Sequence, residues 1–160
     1  MPRLGQTAST RHGRRTQRVP VRYLLDVNFL LACVWRSHAQ HSKASAWLDR
    51  QAGFVICPLA ELGFLRVSLS PGYWAAPDDA LAALGDLTSR KGSRFVADDL
   101  RVDHIPAVSS HADVTDAYLV ALAKTHGLRL ATLDQILCAK PWARGVAENP
   151  LARGTGLPST

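Results

Sequence analysis

Residues 114–134, VTDAYLVALAKTHGLRLATLD, leave the chain few options. The apolar run from Ala117 to Ala123 demands burial, and after Gly127 the short run LRLAT demands it again. A helix-length apolar segment, a glycine and then a strand-length one specify a helix leading into a buried strand. Two carboxylates bracket this unit, Asp116 on the helix and Asp134 eighteen residues further on, just after LRLAT. Asp is a poor interior helix residue because its short side chain competes for nearby backbone groups. A charge among buried apolar positions is also costly unless something pairs with it. Read as a mid-helix residue, Asp116 therefore calls for a compensating metal ion or buried cation.

The rest of the chain repeats the alternation of strand and helix. VRYLL (21–25) predicts a short buried strand ending at Asp26, and VNFLLACVW (27–35) a helix. Ala44, Trp47 and Leu48 mark an amphipathic helix within 38–51, and FVI (54–56) is a second strand. Pro58 suits the first position of a helix running to about Leu69. SPGYWAAPDD is a loop, after which Asp78 or Asp79 caps a helix through Leu87. SRKGSR is a basic turn and RFVA (94–97) a third strand; Ser109 or Ser110 then opens the main helix, which closes near Gly127. LRLAT is the fourth strand, Asp134 starts the short helix DQILC, and 143–148 is a candidate edge strand. The expected fold class is α/β, a central parallel sheet of four to five strands with helices on both faces.

At 160 residues, with a hydrophobic share of 47% and a charged share of 20%, the chain suits one soluble domain. That domain is expected over 21–150, between an extension (1–20) and a loose tail (151–160). No apolar run approaches the ~20 residues of a membrane span. Cys33, Cys57 and Cys138 are scattered and show no CxxC spacing, which fits free, mostly buried thiols in a reducing cytoplasm. The net charge of +6 resides wholly in residues 1–22, where six arginines meet no acid, and the remainder is neutral. Such a basic arm can bind phosphate backbones without sequence preference. It reads rather as a disordered extension or as a translation start assigned too early, since it has no aromatic residue for stacking and no periodicity.

Asp26 and Asp134 each follow a strand directly, so a parallel sheet brings both to its carboxyl edge, where ligands gather. Glu61 falls in the first turn of the helix after the second strand, at the same edge, and Asp116 joins them if the strand before its helix is also parallel. Four gathered carboxylates repel one another unless a cation neutralises them. Oxygen donors without a His or Cys cluster favour Mg²⁺ or Mn²⁺. Such an ion can activate water and stabilise phosphoryl charge, which points to hydrolysis of phosphodiester bonds.

Each acid also has a purely structural explanation. Asp26 and Asp134 can cap the following helices, and Glu61 can answer the helix dipole. Asp113 reads as a first-turn dipole residue, with a peripheral ligand as the alternative, and Asp98, Asp99 and Asp103 as solvated loop charges. His38 and His41, three apart, lack a third ligand and read as a solvated face. Trp35 and Trp47 are core residues. Arg36, Arg66, Arg90, Lys91 and Arg94 are candidate phosphate contacts, though each also suits an ordinary solvated surface.

LLDVNFLLA, CPLAELGFLR, VTDAYLVALA and LATLD, in this order, resemble the motifs of the PIN-domain ribonucleases, and within them the VapC-type toxins of toxin–antitoxin pairs. The resemblance covers roughly Val21 to Pro150. It implies a PIN-like three-layer fold and a Mg²⁺- or Mn²⁺-dependent endoribonuclease. By that similarity Asp26, Glu61, Asp116 and Asp134 hold the metal and orient the attacking water, while Asn28, Thr115 and Thr132 support the acids. It further implies a cytoplasmic homodimer inhibited by a small cognate antitoxin.

Three other functions compete with a ribonuclease toxin. A haloacid-dehalogenase-like phosphatase needs a second Asp two residues after its nucleophile, and that position is Asn28. A catalytically silent RNA- or partner-binding module would keep the fold without the activity. A PIN nuclease of RNA maturation or DNA processing would keep both on another substrate. The extension is foreign to the family pattern, and Arg outnumbers Lys 15 to 4, as in GC-rich coding sequence where GTG starts are common. Intact-mass measurement of the native protein is therefore expected to place its start near Val19 or Val21; a mass that includes residues 1–18 contradicts this.

Overall fold

The computed structural model describes residues 22–152. The expected extension (1–20) and all but the first two residues of the expected tail (151–160) lie outside them. Five strands, β1 (Tyr23–Leu25), β2 (Phe54–Ile56), β3 (Ser93–Phe95), β4 (Arg129–Ala131) and β5 (Ala147–Glu148), form one sheet in the order β3-β2-β1-β4-β5. Every pairing is parallel, with Tyr23 in register with Phe54 on one side and Arg129 on the other. The helices are α1 (Val27–Val34), α2 (His41–Asp49), α3 (Pro58–Ser68), α4 (Pro77–Thr88), α5 (Val114–Thr125) and α6 (Gln135–Ala139). Strand order runs outward from β1 through β2 to β3, then restarts on its other side with β4 and β5. Right-handed crossovers therefore distribute the helices over both faces. The strand order reverses between β1 and β4, and in open α/β sheets ligands bind beside such a switch, outside the carboxyl ends of the strands.

The core is continuous across the central strands. Leu24, Leu25, Ile56 and Leu130 are fully or almost fully enclosed, as are Phe29, Phe64, Leu119 and Leu122 from the helices. Trp47 on α2 meets Tyr23 and Phe29 edge to face at centroid distances of 4.9 and 5.1 Å, fastening α2 to β1 and α1. Each such pair contributes about 0.5–1.5 kcal/mol beyond area burial. Trp35 stacks on Phe64 and donates Nε1–H to Ser68 Oγ at 2.9 Å, so both tryptophans serve packing. Cys33 and Cys57 are buried, and that burial pushes both thiols up to about 12. Among the described residues no helix is long and apolar enough to cross a membrane.

Several boundaries depart from the sequence expectation. Ser110 does cap a turn, accepting from the Ala112 N–H at 3.2 Å, but that turn is a 3-10 segment, His111–Asp113. Regular helix starts only at Val114, so Asp116 stands in the first turn of α5 and not in the helix interior. Asp78 and Asp79 likewise lie inside the first turn of α4, because Pro77 takes its first position. The third strand begins one residue early, at Ser93, though Val96 N–H still donates to Ile56 O at 3.0 Å. His38 precedes α2 and bonds the Gln40 N–H, whereas His41 bonds Ala32 O, so the two do not share a helix face.

Helix α3 approaches α1 closely at Gly63, where an added Cβ would lie 2.4 Å from Val27 Cγ2. Valine in a helix has one favoured rotamer and cannot swing aside. Overpacking here outweighs the roughly 1 kcal/mol that Ala gains over Gly in helix propensity. Gly63→Ala is expected to destabilise the protein by about 1–2 kcal/mol in chemical denaturation. In a Val27→Ala background the same change should be neutral or stabilising; an equal loss in both backgrounds contradicts the contact.

Candidate active site

Asp26 ends β1 and caps α1, with Oδ1 accepting the Val27 N–H at 2.6 Å. Its other oxygen accepts the Thr132 hydroxyl at 2.7 Å in a fully buried bond joining the ends of β1 and β4. Thr132 Oγ1 also accepts the Asp134 N–H at 3.1 Å and the Asn28 Nδ2–H at 3.3 Å. Asn28 Oδ1 in turn accepts the Leu133 N–H at 3.0 Å, fixing the amide's orientation. A single hydroxyl thus holds three of the expected site residues, Asp26, Asn28 and Asp134, across the strand-order switch. Asp134 caps α6 through Oδ1, which accepts the Ile136 and Leu137 N–H groups at 2.7 and 3.0 Å. The capping explanation of Asp26 and Asp134 and their convergence on one place therefore hold together.

Asp116 completes the group from α5. Burial raises its proton affinity first, followed by the negative charges of Asp26, Asp134 and Asp113; Lys140 opposes them, and the carboxyl is pushed up to about 6. The first turn of a helix favours a carboxylate, so the rise occurs against the helix dipole. Asp26 is pushed up as well, by burial above all and then by Asp134, while its bonds to Thr132 and Val27 oppose the rise. Repulsion and desolvation prevail over every local donor.

Glu61 and Thr115 are not drawn into this network. Glu61 sits in the first turn of α3, as expected, and only burial raises its proton affinity; none of the three aspartates contributes. Thr115 lines a groove of about 280 Å³ with Val27, Leu59, Gly63 and Arg66. Among the loop acids, Asp98 is more than a solvated charge, since Oδ2 accepts the Leu59 N–H at 2.9 Å at the start of α3. Asp99 bonds His126 at 3.0 Å. Lys140 escaped the sequence analysis, as did its pairing with Asp113, whose Oδ2 lies 2.8 Å from Nζ. Only a basic residue after DQILCA marked the lysine.

A hydrated hard cation fits this donor set. Among the described residues, no three His, Cys, Asp or Glu side chains are already arranged to hold a metal ion. Mg²⁺ asks for less than that, because it keeps several waters and takes only one or two carboxylates. Asp116 carries no hydrogen bond among the described residues, the capping bonds of Asp134 involve Oδ1 alone, and all the donors are oxygen. Their mutual repulsion is of the kind a divalent ion relieves.

A parallel α/β domain whose aspartates act on one another at its strand-order switch defines a class of proteins with an acidic site at the sheet edge. The PIN-domain profile matches residues 23–142. The chain belongs to the PIN-domain family, and the relatives it matches are VapC ribonucleases. Ribonuclease VapC38 of Mycobacterium tuberculosis is 41% identical over 118 residues, spanning 69% of this chain and 84% of that protein. Ribonuclease VapC39 of the same species is 36% identical over 124 residues, 71% and 89% of the two chains. The fold resembles that of Mycobacterium tuberculosis VapC20, described as a sarcin-ricin loop cleaving toxin, with a TM-score of 0.53 at 14% identity over 73% of this chain and 93% of that one. It also resembles a chain of Rickettsia felis VapBC2 bound to a promoter DNA fragment, with a TM-score of 0.53 at 11% identity over 80% and 98%.

The raised proton affinity of Asp116 has a consequence for stability. Between the ordinary aspartate value of 3.8 and about 6, the folded state binds a proton that the unfolded state has lost. Stability falls as pH rises through that window, and the full penalty stands above it. In metal-free buffer Asp116→Asn should therefore melt above the parent near pH 8, with the difference vanishing near about pH 4. An advantage that is as large in acid as in base contradicts the origin assigned to the shift.

Proposed function

We propose that the protein is a metal-dependent endoribonuclease toxin of a toxin–antitoxin pair, hydrolysing RNA phosphodiester bonds in the cleft beside Asp26, Asp116 and Asp134. Glu61 is its fourth acid, approaching from α3, and Asn28, Thr115 and Thr132 are its supporting residues. Mg²⁺, or Mn²⁺, is the cofactor. A small cognate antitoxin and a second copy of the chain are the protein partners, and the cytoplasm is the site of action. The observation that carries this reading is the Thr132-centred network, which holds Asp26 and Asp134 beside an Asp116 whose charge both of them disfavour. The VapC relatives supply the substrate class.

A divalent ion, when bound, supplies neutralising charge for the carboxylates and the phosphate and lowers the pKa of water. The chain's own residues do the positioning. Thr132 and the Val27 N–H leave Asp26 one orientation, and Asn28 fixes Thr132 through the turn at Leu133. Asp134 is held by the helix it caps. Asp116 is free to accept a hydrogen bond from the attacking water and to orient it on the phosphate. The 280 Å³ groove carrying Arg66 and Thr115 offers a path for the RNA backbone.

Asp116→Asn is expected to lower Mg²⁺-dependent RNA cleavage by about a hundredfold or more, with RNA binding retained in a gel-shift assay. Thr132→Val, which frees Asp26 to turn, should lower it about 10- to 100-fold. That burial alone raises the proton affinity of Glu61, with no contribution from the three aspartates, favours the rival reading, a module that binds RNA or a partner without cutting. Parent protein that cleaves no RNA in Mg²⁺ or Mn²⁺ establishes that rival.

A further inference from the structure

Lys140 follows α6 directly, and Asp134 opens that helix; Asp113 precedes α5 directly, three residues before Asp116. The Lys140 Nζ–Asp113 Oδ2 contact of 2.8 Å therefore joins the two elements that bring Asp116 and Asp134 to the acidic edge of the sheet. The pair is shielded, with side-chain exposures of 27% and 16%, unlike the exposed pairs that contribute little. The Trp142 ring, 5.8 Å from Nζ, confines the ammonium further. The Lys140 backbone is anchored too: its N–H donates to Leu137 O at 3.1 Å, and its carbonyl accepts the Ala143 and Arg144 N–H groups at 3.0 and 3.1 Å. Five residues of helix have little stability alone, so α6 is held by the Asp134 cap at one end and this ion pair at the other.

We propose that Lys140 is a positioning residue of the acidic cleft, clamping the end of α6 to the start of α5 through Asp113 and thereby setting how Asp116 and Asp134 face a divalent ion. Its charge also reaches Asp116, where among the described residues it is the one cation that offsets the three aspartates acting there. The proposal rests on the cleft being a divalent-ion site.

The sign of one measurement separates the clamp from a simple charge effect. Removing a cation from an acidic cleft should, on charge alone, tighten Mn²⁺ binding. Losing a clamp should weaken it, as does loss of other outer residues that orient metal ligands, by about 10- to 100-fold. Mn²⁺ affinity of the full chain, read by paramagnetic resonance without RNA, is expected to fall about tenfold in Lys140→Met. Lys140→Arg, which keeps the pair, should stay within about threefold of the parent. Lys140→Gln gives the same comparison if Lys140→Met does not fold. Affinity equal to or tighter than the parent's in the neutral variant overturns the clamp, as does a KM for RNA that rises while Mn²⁺ affinity is unchanged. A parent that binds no Mn²⁺ overturns the clamp together with the cleft's assignment.

Discussion

Three aspartates from three different segments share one edge of this sheet, and their repulsion is the constraint to which the rest of the local structure responds. Asp26 arrives with β1, Asp134 with β4 and Asp116 with α5. Burial and mutual charge raise the proton affinity of Asp26 and Asp116, although Asp26 accepts two short hydrogen bonds and Asp116 sits at a helix N-terminus. Donors that would ordinarily stabilise a carboxylate do not suffice here. Such an edge persists because the core beneath it, from Leu24 and Leu25 to Leu130 and Ala131, is closed and continuous.

Thr132 is the point at which fold and site coincide. Its hydroxyl donates to the carboxylate after β1 and accepts from the backbone after β4, so the bond that unites the strand ends also orients Asp26. The parallel pairing of Leu25 with Ala131 delivers Thr132 opposite Asp26. A one-residue slip in that register would turn Thr132 to the opposite face of the sheet. Sheet register and site geometry are therefore one property of the chain.

Much of this was legible in the sequence for physical reasons. The runs at 21–25, 54–56 and 128–132 read as strands because each is a short apolar segment bounded by an acid, a glycine or a proline, and Tyr23–Leu25, Phe54–Ile56 and Arg129–Ala131 within them are strands. Parallel pairing followed from the helices between them, and with it the meeting of Asp26 and Asp134. The start of α5 was not legible, because Ser110 is a good cap whether the turn it caps is 3-10 or α. That uncertainty put Asp116 in the helix interior, when its cost comes from burial and neighbours. The Lys140–Asp113 pair was hidden as well, since 27 residues separate the partners and no local pattern marks a long-range ion pair. Glu61 kept its predicted helical position, yet periodicity says nothing of how far a first-turn acid stands from carboxylates on other elements.

Family membership is read from the order of residues, and the electrostatics of the acidic edge from coordinates and charge. The proposed function makes them converge on Asp26, Asp116 and Asp134. Anomalous diffraction from crystals of the protein grown with Mn²⁺ tests that convergence most directly. The account predicts a peak in the cleft between the Asp26, Asp116 and Asp134 carboxylates. No peak there, with manganese bound elsewhere or not at all, contradicts it.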